Sequence, residues 1–370
     1  MKRHRVWLGA VALGGAAVSV GAQPLGLPPV PVPADNSQTE TKIQLGDRLF
    51  HDQRFSADGK VSCSTCHEKD KAFTDNRRVS KGFRDLTGTR NAPTVINSAY
   101  MKTLFWDGRE PDLEGQSKRP SVNPVEGGLA NHEPIIETIR NDKEYTAAFK
   151  DVFGVEPGDI TMDQVAKAIA SFERTVVSGD SPFDRYQYGG DASAMTEAQI
   201  RGLELFRTKG RCVSCHIIEE TQALFMDNRF HNIGVGFKKI RGKETETAAE
   251  FVKSKKAGAN VDVTVLTSAN MSELGRFAVS ENMTEVGAFK TPTLRNIAVT
   301  QPYMHDGSLA TLEDVVDFYN NGGRLKETDP LSGFLSGGIR PLNLRDAEKA
   351  DLVAFLKALT SPEYQSLVRK

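Results

Sequence analysis

Cysteine is scarce in this chain: four residues in 370, none of them outside two short clusters. That is too few for the disulfide framework of a small secreted domain, so whatever the cysteines do is local. A surplus of one charge is also missing. With 47 Lys and Arg against 48 Asp and Glu, no basic stripe announces a nucleic-acid partner. Beyond the N-terminal residues no apolar run is long enough to cross a bilayer, so no membrane span is expected in the mature chain. Tryptophan occurs twice, at Trp7 and Trp106.

The chain begins with the basic Met1-Lys2-Arg3-His4-Arg5, continues through apolar residues from Val6 to Val20, and reaches the small residues Gly21 and Ala22. Residues 1–22 read as a secretory signal peptide, since the apolar stretch is short and broken by glycines. Its removal takes away Lys2, Arg3 and Arg5, three positive charges, and moves the formal charge from -1 to -4. The Pro-rich residues 23–35 read as an extended tether. The remainder, in a chain that is 39% hydrophobic, is long enough for two domains.

All four cysteines fall in Cys-x-x-Cys-His motifs, Cys63-Ser64-Thr65-Cys66-His67 and Cys212-Val213-Ser214-Cys215-His216. Two thiols one helical turn apart can capture the two vinyl groups of one porphyrin, while the adjacent imidazole reaches the iron. Each motif is therefore expected to hold one covalent haem c. A four-cysteine zinc site would leave two histidines unexplained, and a strained disulfide within each motif would have to form twice. Haem c is attached outside the cytoplasm, which agrees with the signal peptide and places the chain in a bacterial periplasm.

The second half repeats the first. Leu49-Phe50 before one motif matches Leu205-Phe206 before the other, and the run from Phe73 to Arg77 matches Phe225 to Arg229. Pro93-Thr94 through Trp106-Asp107-Gly108 aligns without a gap onto Pro292-Thr293 through His305-Asp306-Gly307. The haem histidines are 149 residues apart but the two prolines 199, so about 50 residues are inserted. The Lys- and Glu-rich stretch at about 238–285 reads as that insertion, a long surface excursion. The expected fold is mainly α-helical, with two cytochrome c-like haem domains related by internal duplication, at 36–191 and 192–370.

The same ungapped register pairs Pro120 with Tyr319. Tyr319 lies in a run from Leu312 to Gly323 that predicts a short amphipathic helix closed by glycine. Its ring either packs beside Phe318 or coordinates the second iron opposite His216. Met304, Met283, Met271, His305 and His231 are competing ligands, and proline at the equivalent place offers none. A tyrosine ligand binds as phenolate, and lowering its pKa from about 10 to below 7 costs roughly 4 kcal/mol, which a ferric iron can offset. Trp106, whose repeat partner is His305, is either a core indole or a carrier of electrons between the haems. Glu126, before Gly127 and Gly128, is either a solvated loop residue or an acid handling a peroxide proton.

Through these strings, the chain from about Leu45 to Leu359 resembles the bacterial dihaem cytochrome c peroxidase and MauG family. The resemblance rests on the haem motifs, Arg90-Asn91-Ala92-Pro93-Thr94, Trp106-Asp107-Gly108-Arg109, Asn123-Pro124-Val125-Glu126, and the strings from Thr291 to Asn296 and from Pro302 to Gly307. Peroxidases of this family usually carry a distal histidine on the first haem and a methionine on the second. Those positions fall here at Phe83 and Tyr319, departures that point to the MauG-like branch. That branch implies a five-coordinate first haem and His-Tyr ligation of the second. By the same similarity Gln116, Pro120 and Glu126 belong to the distal pocket and Trp106 lies between the haems. The resemblance also implies a calcium ion bound at Asn91, Thr300 and Pro302.

The resulting expectation is an enzyme, a periplasmic peroxide-using oxidoreductase. Hydrogen peroxide reacts at the open first haem, and both oxidising equivalents spread over the two irons as a high-valent state. The electron donor is a small cytochrome c or cupredoxin. The alternative is MauG-like maturation of a protein substrate, including formation of a tryptophan-derived quinone; a non-enzymatic dihaem electron carrier is the rival from another class.

Overall fold

The computed structural model describes residues 23–368, so the signal-peptide reading of 1–22 lies outside the described residues. The first part of the chain forms α1 (Glu40–His51), α2 (Cys63–Cys66), α3 (Leu113–Ser117), α4 (Glu133–Arg140), α5 (Lys143–Phe153) and α6 (Met162–Glu173). Next come α7 (Pro182–Gln187), α8 (Glu197–Arg207), α9 (Phe237–Ile240), α10 (Glu244–Lys256), α11 (Val261–Thr267), α12 (Ala269–Ser272), α13 (Phe277–Ser280), α14 (Leu312–Asn320) and α15 (Asp346–Lys357). Two short strands, β1 (Phe230–His231) and β2 (Phe289–Lys290), pair antiparallel, so the fold is mainly helical, as expected.

Helix α1 starts where the Thr39 hydroxyl accepts from the Lys42 N–H, and it buries Leu45, Gly46, Leu49 and Phe50 along one stripe. That stripe lies on α6, whose start is fixed by the Thr161–Gln164 capping box and which buries Val165, Ala168 and Ile169. A side chain at Gly46 would run into the Ala168 carbonyl, so only glycine allows this approach. Helices α8 and α15 repeat the arrangement, with Gly202 set against the Asp351 carbonyl.

One core gathers Leu45, Leu49, Phe50, Ile139, Phe149 and Val165. A second gathers Phe183, Leu203, Phe206, Phe225, Val316 and Phe355. Burying each such side chain contributes about 1.5–3 kcal/mol. Local bonds also recur 199 residues apart. Thr94 donates to the Ala72 carbonyl at 2.7 Å and Thr293 to the Leu224 carbonyl at 2.7 Å. Asn97 and Asn296, with φ of 63° and 59°, receive the chain after α6 and α15 respectively: their N–H groups donate to the Val176 and Leu359 carbonyls.

Two stretches depart from expectation. Residues 23–35 do not extend away as a tether. Leu27 is buried, Tyr100 donates to the Pro28 carbonyl, and the Gly26 carbonyl accepts from Arg295. Arg295 is itself fully buried and makes a two-pronged pair with Asp184, at 2.8 and 2.9 Å. The stretch is held because that guanidinium needs an acceptor there. Residues 238–285 are not a loose excursion either. Helices α9 to α13 enclose a third core of Ile240, Phe251, Val265, Leu274, Phe277 and Val286. The charges on α10 that look like a solvated loop in the sequence are the outer face of this unit.

Candidate active site

The two motifs fold alike. The Cys63-to-Cys66 turn is α2, and the His67 N–H donates to the Cys63 carbonyl at 3.1 Å; the His216 N–H donates to the Cys212 carbonyl at 2.9 Å. All four cysteines are free thiols here, which rules against paired disulfides. Burial pushes the thiols of Cys63, Cys66 and Cys212 up to about 12. They stand for the sulfurs of thioethers once a porphyrin is attached.

Each motif histidine is oriented by the same partner. His67 Nδ1 bonds to the Phe73 carbonyl at 3.1 Å and His216 Nδ1 to the Phe225 carbonyl at 2.8 Å. A protonated Nδ1 donating to a carbonyl leaves Nε2 with its lone pair, the atom that binds iron. Desolvation holds both imidazoles below their ordinary pKa, in the neutral form a metal requires.

Around the second motif lies a cavity of ≈ 520 Å³ with mostly apolar walls, in the size range of cofactor pockets. Cys212, Cys215, His216 and Tyr319 all face it. Tyr319 sits on α14, the amphipathic helix the sequence predicts, started by the Thr311–Asp314 capping box. Burial raises its phenol above the ordinary value, with the Cys212 and Cys215 thiols adding to the rise. Of the competing ligands, Met271 and Met283 pack against the third core, away from this cavity. His305 is stacked on Phe289, with centroids 3.7 Å apart, and bonded through Nε2 to Glu273. His231 is bonded through Nε2 to Asp227 at 2.7 Å. Met304 lines the cavity together with Tyr319. Cys215, Asp227 and His231 also cluster, but the Cys215 sulfur in that group is one a porphyrin would take. A donor set of two thiols, an oriented imidazole and a phenol on one apolar cavity fits a covalent haem.

Residues of the first half reach the same cavity. Trp106, Asn91 and Thr94 line it beside Thr300 and Pro302. The Trp106 indole donates to the Asn91 carbonyl at 2.8 Å, and the Asn91 N–H donates to the His305 carbonyl at 2.8 Å, so the repeat partners Trp106 and His305 are joined through Asn91. The Asn91 side-chain N–H donates to the Arg77 carbonyl at 2.9 Å, which leaves Oδ1 as its donor atom for a cation. The residues expected to hold calcium, Asn91, Thr300 and Pro302, all line this cavity.

Glu126 lies in a turn held by Asn123, whose carbonyl accepts from the N–H groups of Glu126 at 3.1 Å and Gly128 at 2.8 Å. The residue is half-buried, yet Oε2 is shielded from solvent and has no hydrogen-bond partner among the described residues. Desolvation raises its pKa to about 8; Asp262 adds to the rise and Arg109 opposes it. Pro120 is in the same turn, its carbonyl accepting from the Gly127 N–H at 2.9 Å. The Phe83 N–H donates to the Glu126 carbonyl at 2.6 Å, and the Phe83 ring closes on Gly128, where φ is +75° and a side chain would collide with it. Gln116 stands on α3, half-buried, one turn before Pro120. Glu126, Pro120 and Phe83 are brought together, and Trp106 lines the cavity of the second motif.

Sequence reasoning missed three charged groups nearby. Arg109 pairs with Asp107 at 3.0 Å and with Asp262 at 2.7 Å. Lys290, buried against the cavity, donates to the Thr103 carbonyl at 2.8 Å, and burial pulls it down to about 8. Glu273, almost fully buried, holds both His305 and Lys239. Only Arg109 had a visible signal, the Trp-Asp-Gly-Arg string.

The comparisons with known proteins agree with this geometry. Residues 40–193 match the family model for di-haem cytochrome c peroxidase. Cytochrome-c peroxidase IdrP1 of Denitromonas iodatirespirans is 39% identical, over 95% of this chain and 90% of its own length. Methylamine utilization protein MauG of Methylorubrum extorquens is 34% identical, over 89% of this chain and 81% of its own. A solved MauG-like protein associated with microbial copper homeostasis is 36% identical and superposes with a TM-score of 0.74, covering 94% of this chain and 96% of that one. Taken with the two oriented motif histidines, these relatives place the chain among oxidoreductases that carry haem c, as a member of the di-haem cytochrome c peroxidase and MauG family.

Proposed function

We propose that the protein is a periplasmic di-haem peroxidase with one open and one closed haem, which uses hydrogen peroxide to oxidise a small redox protein. The carrying observation is an asymmetry. Tyr319 faces the cavity of His216, whereas its repeat partner Pro120 offers no ligand and lies beside Glu126, whose shielded Oε2 has no partner among the described residues. Haem c, when bound, supplies an iron that can take the peroxide oxygen and a second that shares the oxidising equivalents. Cys63, Cys66 and His67 hold the first group; Cys212, Cys215, His216 and Tyr319 hold the second.

Glu126, carrying its proton near neutral pH, supplies it to the departing peroxide oxygen, and Phe83 with Pro120 keeps other ligands from the same face. Gln116 completes that pocket. Trp106, hydrogen-bonded through its indole, passes electrons between the two sites. One peroxide with two electrons and two protons yields two waters. The halves arise by duplication, with domains at 36–191 and 192–370; the paired histidine–carbonyl and threonine–carbonyl bonds support this. A calcium ion at Asn91, Thr300 and Pro302 stiffens the join, a reading supported only by their lining the same cavity.

Oxidation of a partner protein at a distance is the second reading, favoured by tyrosine at 319 and by the MauG relatives. Because Trp106 is the only tryptophan after residue 7, a surface relay would use tyrosine. Mixing the diferric protein with peroxide and then with reduced small cytochrome tests the first reading. Two cytochromes oxidised per peroxide are expected; an unchanged spectrum at both haems refutes it.

A further inference from the structure

One carboxylate outside both motifs ties the two functional turns together. Asp262 lies in the first turn of α11, in the 238–285 unit, and is buried. Its Oδ1 accepts from Arg109 Nε at 2.7 Å, and its Oδ2 accepts from Asn123 Nδ2 at 2.6 Å. Arg109 is the last residue of the Trp106 turn. It grips Asp107 at 3.0 Å and lies over the Phe105 ring, 3.5 Å from its centroid. Asn123, also fully buried, shapes the acid turn twice: its carbonyl receives the Glu126 N–H, and its Oδ1 receives the Val125 N–H at 3.1 Å. The same unit adds Arg276, which donates to the Asp107 and Gly108 carbonyls at 3.1 and 2.9 Å.

We propose that Asp262 is a positioning residue for the peroxide reaction, holding Arg109 and Asn123 so that the Glu126 carboxyl keeps its shielded place. The inference rests on the role given to Glu126 above. Asp262 shares with Asp107 the neutralisation of Arg109, a cation that favours ionised Glu126, and its own negative charge opposes that ionisation directly. The Cys63 and Cys66 thiols, which also feel the Glu126 charge, become uncharged thioethers in the holoprotein. Removing the Asp262 charge therefore acts in one direction through both routes: Glu126 loses its proton at lower pH.

The test is an infrared pH titration of the carboxylic C=O band of Glu126 in the ferric holoprotein, assigned by its loss in Glu126→Gln. Asp262→Asn keeps the size and one acceptor. Its band is expected to vanish about one pH unit lower than in the parent, a tenfold change in proton affinity. The alkaline limb of the peroxide reaction should move with it. Asn123→Ala should shift the band alike, and the double variant should shift it less than the sum. An unmoved band in a folded Asp262→Asn protein with both haems overturns the proposal. If the band moves but turnover never depended on Glu126, the positioning stands and the catalytic role of Glu126 falls.

Discussion

Replacing Glu126 by glutamine keeps the side chain's shape and removes its proton chemistry. The raised value of about 8, against an ordinary 4.5, means that ionising this carboxyl inside the protein is costly. A shift of that size corresponds to an upper bound of about 5 kcal/mol at 1.36 kcal/mol per unit. Half-burial and solvent screening reduce this to about 2 kcal/mol. The folded protein binds this proton more tightly than the unfolded chain, so its stability falls as pH rises from the unfolded pKa towards about 8. The glutamine variant lacks that slope. Thermal unfolding from pH 5 to 9 should show the parent losing stability relative to Glu126→Gln. Stopped-flow absorbance at pH 7 should show the peroxide reaction slowed by about 10²–10⁴-fold, the usual worth of a positioned acid. The parent rate should decline as pH passes about 8, and the variant's should not. A variant reacting at the parent rate, with the parent's pH profile, refutes the reasoning.

Three further substitutions separate the parts. Tyr319→Phe removes the only phenol on the His216 cavity among the described residues apart from Tyr303, whose hydroxyl is spent on the Ile297 carbonyl; the second haem should change spin state and rise in reduction potential while the first keeps its spectrum, as optical redox titration would report. Trp106→Phe leaves the Asn91 carbonyl without its indole donor, at about 1–3 kcal/mol; rapid mixing with peroxide should show the first haem responding normally and the second lagging. Arg295→Ala strands the buried Asp184 carboxylate and releases the Gly26 carbonyl; chemical denaturation should show a loss of about 3–5 kcal/mol with both haem spectra intact.

Legibility in the chain tracks the reach of the interactions. The Cys-x-x-Cys-His turns are local, and so is the helix of Tyr319, whose Thr311 cap and Gly322-Gly323 stop lie within a dozen residues. The register pairing Pro120 with Tyr319 is legible because nothing interrupts it from Pro93 onward. The docking of residues 23–35 depends on Arg295 reaching a carbonyl 269 residues away, which no periodicity encodes. The 238–285 unit looks solvated because its polar residues dominate the string. Yet Asp262 and Ser272 turn inward to meet Asn123 and Arg90 across 139 and 182 residues. Buried polar contacts of that kind leave only an Asp among other Asps or a Ser among other Sers. The shielded state of Glu126 likewise comes from a fold of the chain, since two following glycines suggest an open loop.

Electron paramagnetic resonance of the ferric holoprotein reads both irons at once. One high-spin and one low-spin signal in equal amounts are expected, the high-spin signal shifting when a small anion binds and the low-spin signal changing in Tyr319→Phe. Two low-spin signals in the active resting protein would contradict the open first haem.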